Sequence, residues 1–274
     1  MITCRATSML VLSLALSLVG CGGAPGEDTV DTVDSLVQPV STAWCRSNGG
    51  TYFPETGYCI HGRILKHWIE NGGLEKFGYP ISEEHWENVE GYWLPVQYFQ
   101  RQRLEIQTGE VPGIPSGTVT YGRIGAKLCN SAWNSWCHVN YNQSPGLRPI
   151  DMEEWALMMS DGAGTTRYSP SECELMGPNA AAGKGQWVCG EVLRYWRENG
   201  GLAYFGYPVT KLITRNGCSW SDQTCILAEQ VFERARIEIH PYFMSEGAGP
   251  QPGYVMLGLL TCIDLDLVGK VPGC

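Results

Sequence analysis

Apolar positions recur at helical spacing in two places along the chain. In "GRILKHWIENGGLEKFGYPIS" (62–82) Ile64, Leu65 and Trp68 stand at i, i+1 and i+4, and in "GEVLRYWRENGGLAYFGYPVT" (190–210) Val192, Leu193 and Trp196 repeat the spacing. This predicts one short helix in each stretch, with Trp68 and Trp196 buried on an apolar stripe that faces a core. Asn71 and Asn199 are expected to end the helices. The glycine after each can take the left-handed conformation, and Leu74 or Leu202 is expected to fold back over the last turn. Pro80 and Pro208 push the preceding tyrosine into an extended backbone, which turns the chain.

Further on, the period changes from helix to strand. "VQYFQRQRLEI" (96–106) and "EQVFERARIEI" (229–239) alternate on both sides of a short polar centre, which predicts antiparallel strands turning near Gln100–Gln102 and near Glu233–Ala235. Gln97, Phe99, Arg101, Arg103, Glu105 and Ile106 match Gln230, Phe232, Arg234, Arg236, Glu238 and Ile239. The two copies run from about 58 to 128 and from about 186 to 263. The second is five residues longer between its blocks, and Cys218 and Cys225 sit in the added length as a stapled hairpin tip. The expected fold class is α+β: two related small modules, each a short helix followed by a β-hairpin or small antiparallel sheet. Most repeated residues are neither proton carriers nor metal ligands, so the repeat reads as architecture. Arg103 and Glu105 fall on one side of their strand, with Leu104 and Ile106 on the other. Two readings stand for that polar side. One is a solvated face with cross-strand ion pairs, each under about 1 kcal/mol. The other is a ligand face used twice, made of Gln97, Arg101, Arg103, Glu105, Gln230, Arg234, Arg236 and Glu238.

The amino end is of another kind. Arg5 precedes the apolar run "MLVLSLALSLV" (9–19), too short for a stable membrane span and placed where a secretory signal belongs. Residues 18–21, "LVGC", resemble the bacterial lipobox, which implies cleavage before Cys21 and a thioether-linked diacylglycerol on its thiol. The organisation expected is a signal peptide over 1–20, a Gly/Asp/Thr/Ser-rich tether over 21–43, a first module over 44–128, a cysteine-containing insert or cap of the second module over 129–185, and a second module over 186–274. Lipid on Cys21 would moor the chain to a membrane without a spanning helix. Gly22 rather than Asp comes after it, which by analogy favours the outer membrane or cell surface over the inner membrane.

The chain carries 19 basic and 28 acidic residues, a net charge of −9, and removal of Arg5 makes the mature charge −10. A chain this acidic is not built to neutralise phosphates, which argues against a nucleic-acid partner. With Cys4 and Cys21 set aside, ten cysteines remain, an even number that in an exported chain predicts a disulfide framework. Pairing of near neighbours gives Cys45–Cys59, Cys129–Cys137, Cys173–Cys189, Cys218–Cys225 and Cys262–Cys274. The first and third each close a loop just before a copy of the repeated helix. A zinc site is the competing reading, but there is no CxxC pair and His61, His67, His85, His138 and His240 keep no regular spacing to cysteine. The expectation is therefore no metal and no cofactor.

The combination "NGGL..FGYP…VQ.F.R.R.E" resembles the LGFP-type repeat of exported bacterial proteins, with FGYP in place of LGFP and an added "RLEI" block. Two copies cover roughly 150 of the 274 residues. The resemblance implies a small helix-plus-hairpin module with a non-catalytic role in attachment to the cell envelope, through peptidoglycan, another glycan or an envelope protein. It carries over no catalytic residue.

An envelope hydrolase is the alternative. The insert holds Asp151, Glu153, Glu154 and Asp161, and paired carboxylates cleave glycosides when a cleft holds them apart. The start of a short helix over 149–159, with Asp151 as its cap, accounts for the same residues. No GxSxG, HExxH or phosphate-binding glycine loop occurs. Trp86, Trp93, Trp133, Trp136 and Trp220 lie in turn-rich stretches where exposure is expected, which keeps stacking on sugar rings open. A structural spacer is the third reading.

Overall fold

The computed structural model describes residues 39–131, 170–214, 226, 228–240, 254–265 and 274. The expected signal peptide, Cys21, most of the expected tether, the carboxylates and helix expected over 149–161, Trp133, Trp136, Trp220 and the expected Cys218–Cys225 bridge lie outside the described residues.

The first copy opens with α1 (Thr42–Ser47), whose first turn is capped by Ser41 Oγ accepting from the Trp44 N–H at 3.2 Å. A hairpin of β1 (Thr51–Phe53) and β2 (Tyr58–Ile60) leads into α2 (Gly62–Glu70) and α3 (Gly73–Phe77). Then come β3 (His85–Val89), β4 (Tyr92–Tyr98), β5 (Arg103–Ile106) and β6 (Val119–Tyr121), an antiparallel meander in that order, and after it α4 (Ile124–Ser131). The second copy repeats the plan. Its hairpin is β7 (Cys173–Asn179) and β8 (Lys184–Cys189), its helices are α5 (Gly190–Glu198) and α6 (Gly201–Phe205). Its sheet is β9 (Ile213–Thr214), β10 (Ala228–Val231), β11 (Arg236–Ile239) and β12 (Val255–Leu257) in sequence order, closed by α7 (Leu260–Asp264). The fold is α+β with small antiparallel sheets.

The repeated phrase does what its glycines predict, with one difference. Gly72 and Gly200 stop the long helices at φ 106° and 109°. The chain then enters not a plain turn but a second short helix, α3 or α6. Leu74 and Leu202 consequently stay exposed instead of folding back, and Phe77 and Phe205 enter the core in their place. Trp68 and Trp196 are partly buried against the core, whereas Ile64 and Val192 are fully inside it. Each helix is only nine residues long and has a narrow apolar side, so the wide indoles sit at its margin.

Two apolar clusters are each shared between the copies: Phe77, Phe99 and Leu104 of the first pack with Phe205, Phe232 and Ile237 of the second, and Leu94, Val96 and Ile124 pack with Val209, Val231 and Leu260. The fraction of surface buried rises with size, so sharing cores buries more per residue than either copy would alone. Across the junction the Ala126 N–H donates to Glu233 O at 3.1 Å, Lys127 pairs with Asp264 at 2.8 Å, and Arg101 Nε donates to Leu257 O at 2.9 Å.

The bridges Cys45–Cys59, Cys173–Cys189 and Cys262–Cys274 form, with Cα separations of 5.9, 4.1 and 5.6 Å. Cys129 is also disulfide-bonded, while Cys137 lies outside the described residues.

Candidate binding cleft

Strand alternation and register bring one set of polar residues to a single face of the first sheet. Tyr98 stands opposite Arg103, Val96 opposite Glu105, and Glu87 opposite Leu94, so that Glu87, Tyr98, Arg103 and Glu105 share a face. Arg103 sits at its centre. Its Nε and Nη2 donate to Glu105 Oε1 at 3.1 and 2.6 Å, and Nη1 donates to Glu87 Oε1 at 2.9 Å and to the Tyr98 hydroxyl at 3.1 Å. The Tyr98 hydroxyl donates in turn to Glu87 Oε2 at 2.7 Å. Burial alone would raise the Glu87 carboxyl, but the His85 hydrogen bond, the Arg103 charge and the Tyr98 hydroxyl outweigh it and hold the group below its ordinary value. His85 moves the other way: burial lowers it, and Glu87 together with the Glu83 carbonyl raises it overall.

The second sheet rebuilds the centre with different neighbours. Glu229 stands directly opposite Glu238, a repulsive cross-strand pair unless a cation lies between them, and Arg236 bonds both. His240 Nε2 meets Glu238 Oε2 at 2.9 Å and its ring stacks on Tyr254.

These arrangements correct the solvated-face reading of the polar side. Arg103 and Glu105 are only 5% and 6% exposed, and Arg236 and Glu238 are comparably enclosed. The remaining residues expected on a ligand face divide by role. Gln97 Nε2 donates to Cys59 O at 2.8 Å and Ser82 O at 2.9 Å, and Gln230 Nε2 donates to Trp187 O and Thr210 O at 2.9 and 3.0 Å. Both glutamines are fully buried and tie the sheet to the segments before it. Arg101 lies in the junction between copies, bonded to Leu257 O and Leu74 O. Arg234 donates to Leu202 O at 3.3 Å and approaches Glu233.

Arg103, Glu105 and Arg234 meet in an open cleft of about 780 Å³, within the range of small-ligand sites, lined also by Gln107, Tyr121 and Arg123. Gln107 is 4% exposed; its Nε2 donates to Thr120 Oγ1 at 2.6 Å and its Oε1 has no hydrogen-bond partner. Burial pushes the Tyr121 hydroxyl up to about 12. Glu87, Gln107 and His240 are site residues that the sequence pattern did not single out. The register "RLEIQ" against "RIEIH" would have flagged the last two, since each is the next same-face position after the paired glutamate. On the opposite face of β3–β4 stand Trp86 and Trp93, 62% and 58% exposed.

Comparison with protein families, with curated proteins and with solved structures found no match to this chain. Among the described residues no helix is long and apolar enough to cross a membrane, and no group of three or more His, Cys, Asp or Glu is placed to hold a metal ion.

Proposed function

We propose that this chain is a non-catalytic binding protein of the bacterial cell envelope, moored by lipid on Cys21, that attaches to an envelope glycan. The observation that carries the reading is the pair of exposed indoles on β3–β4. Trp86 stands opposite Pro95 and Trp93 opposite Asn88, so the two residues are diagonal neighbours on one exposed face. Two adjacent flat apolar rings offer a platform on which successive sugar rings stack. The resemblance of "NGGL..FGYP" and "VQ.F.R.R.E" to LGFP-type repeats supports an attachment role, and "LVGC" supports the lipid anchor.

The polar cleft favours binding over hydrolysis. A glycosidase needs one carboxyl kept protonated to donate to the leaving oxygen. Glu87 and Glu105 instead share one buried guanidinium, and Glu87 is held below its ordinary value, the wrong direction for a general acid. Titration of the full chain with soluble β-1,4-linked N-acetylglucosamine oligosaccharides, monitored by tryptophan fluorescence, tests the reading. The expected result is a saturable change in the spectrum that Trp86→Ala with Trp93→Ala abolishes, and an unchanged spectrum at saturating oligosaccharide would contradict it.

A further inference from the structure

We propose that the cleft at the free edge of β6 receives an extended segment of a partner protein, which adds a fifth strand to the first sheet and places an acidic side chain against Arg234. This goes beyond glycan attachment and uses a different face of the molecule.

The backbone supplies the first argument. The Gln107 N–H donates to Thr118 O at 2.9 Å and the Gly122 N–H to Arg103 O at 2.8 Å, so the Thr118 carbonyl, Thr120 and the Gly122 N–H turn toward β5. Alternation then turns the N–H and C=O of Val119 and Tyr121 outward. β6 ends the sheet, and among the described residues nothing bonds to those outward groups. The cleft runs over the polar face of the sheet and reaches this edge, since Val119, Thr120 and Tyr121 are among its lining residues. An extended peptide presents alternating N–H and C=O groups at the matching spacing, and strand addition is a recurrent way of recognising one. A glycan presents no such ladder.

The second argument comes from comparing the two halves. Tyr121 in β6 and Leu257 in β12 occupy the same place in their sheets, one residue before Gly122 and Gly258. In one half Arg101 Nε satisfies the Leu257 carbonyl and Arg101 Nη1 holds Leu74 O. In the other, Arg234 keeps the equivalent bond, from Nη1 to Leu202 O, but not the one to Tyr121 O. Arg234 lines the cleft, its Nη1 lies 3.6 Å from Glu233 Oε2, and among the described residues its Nε and Nη2 make no hydrogen bond. A planar fork with two spare N–H donors matches a carboxylate.

The probe is a panel of capped, fluorescein-labelled hexapeptides of alternating threonine and valine, with one aspartate placed at each position in turn, titrated against the full chain by anisotropy. At least one member is expected to saturate. Arg234→Gln is expected to weaken it about tenfold or more, as is N-methylation of alternate peptide amides. Val119→Pro, which deletes an outward N–H, should do the same. Arg234→Gln keeps the test decisive if the proline variant does not fold. Trp86→Ala with Trp93→Ala should leave peptide binding unchanged, which separates this site from the glycan platform. The proposal is overturned if no peptide binds at millimolar concentration, if N-methylated peptide binds as tightly, if Arg234→Gln behaves as wild type, or if a soluble oligosaccharide occupies the cleft in an Arg234-dependent way.

Discussion

Lys76 and Tyr204 are the fourth residues of α3 and α6, the same position in each copy, and they touch. Lys76 Nζ lies 4.3 Å from the centre of the Tyr204 ring, and the Tyr204 hydroxyl donates to Lys76 O at 3.2 Å. Contact between a position and its own counterpart is the mark of an approximate two-fold axis. Tyr204 also packs its ring on Phe77, Tyr121 and Phe205 and is nearly wholly buried. Tyr204→Ala is therefore expected to cost about 3–5 kcal/mol in chemical denaturation, by analogy with other large aromatic truncations. Lys76→Ala should cost much less, near the ~1 kcal/mol of a partly exposed cation over a ring.

The junction between copies has a position with no room for a side chain. A Cβ on Gly125 would collide with the Phe232 carbonyl and crowd Val231. Gly125→Ala must push α4 off the second sheet, and a loss of about 1–3 kcal/mol is expected in thermal or denaturant melts.

Removing the shared cation should be severe. Arg103→Met leaves the buried Glu105 and the partly exposed Glu87 without their counter-charge, and a loss of about 3–5 kcal/mol is expected, carried chiefly by Glu105. Replacing both glutamates by glutamine in the same chain should recover most of that loss, which denaturation of the two variants checks directly.

The same cluster sets a dependence on pH. Glu87 has a folded pKa below its ordinary 4.5, so its stabilisation is complete above about 4.5 and is lost as pH falls through the folded value. His85 has a folded pKa above its ordinary 6.5, so its stabilisation is complete below about 6.5 and is lost as pH rises through the raised value. Wild type minus Glu87→Gln should slope on the acid side, and because each group holds the other's shift, the differences for Glu87→Gln and for His85→Gln should both slope above 6.5. Glu83, raised chiefly by burial, is present in every chain compared and cancels in the difference, whereas Glu84, raised by burial and lowered by His85, adds an acid-side slope to the His85→Gln curve.

Two bridges close loops of similar length beside equivalent helices, with sequence separations of 14 and 16. Replacing either pair by serine should lower stability by about 3 kcal/mol on the chain-entropy account, read as a shift in denaturant midpoint.

Local chemistry made much of this fold legible. The stop at Asn71–Gly72, the turn between β4 and β5 and the bridges Cys45–Cys59, Cys173–Cys189 and Cys262–Cys274 all arise from residues close in sequence. The second short helices did not, because "GLEKF" and "GLAYF" are too brief for periodicity to speak, and Phe77 rather than Leu74 was drawn inward by a core that both copies share. The polar face was legible in its alternation but not in its burial. Arg103 is enclosed by Tyr98 and Glu87 from strands whose pairing fixes the contact, and a spacing of two along one strand says nothing of what closes over it.

Retention on purified peptidoglycan sacculi tests the binding account most directly, with wild type compared against the Trp86→Ala, Trp93→Ala double variant in a sedimentation assay and the supernatant analysed for released sugar or peptide. The account predicts that wild type pellets with the sacculi, that the double variant is retained about tenfold less at an unchanged melting temperature, and that the supernatant stays free of fragments. Equal retention of the two chains, or soluble fragments released by wild type, would contradict it.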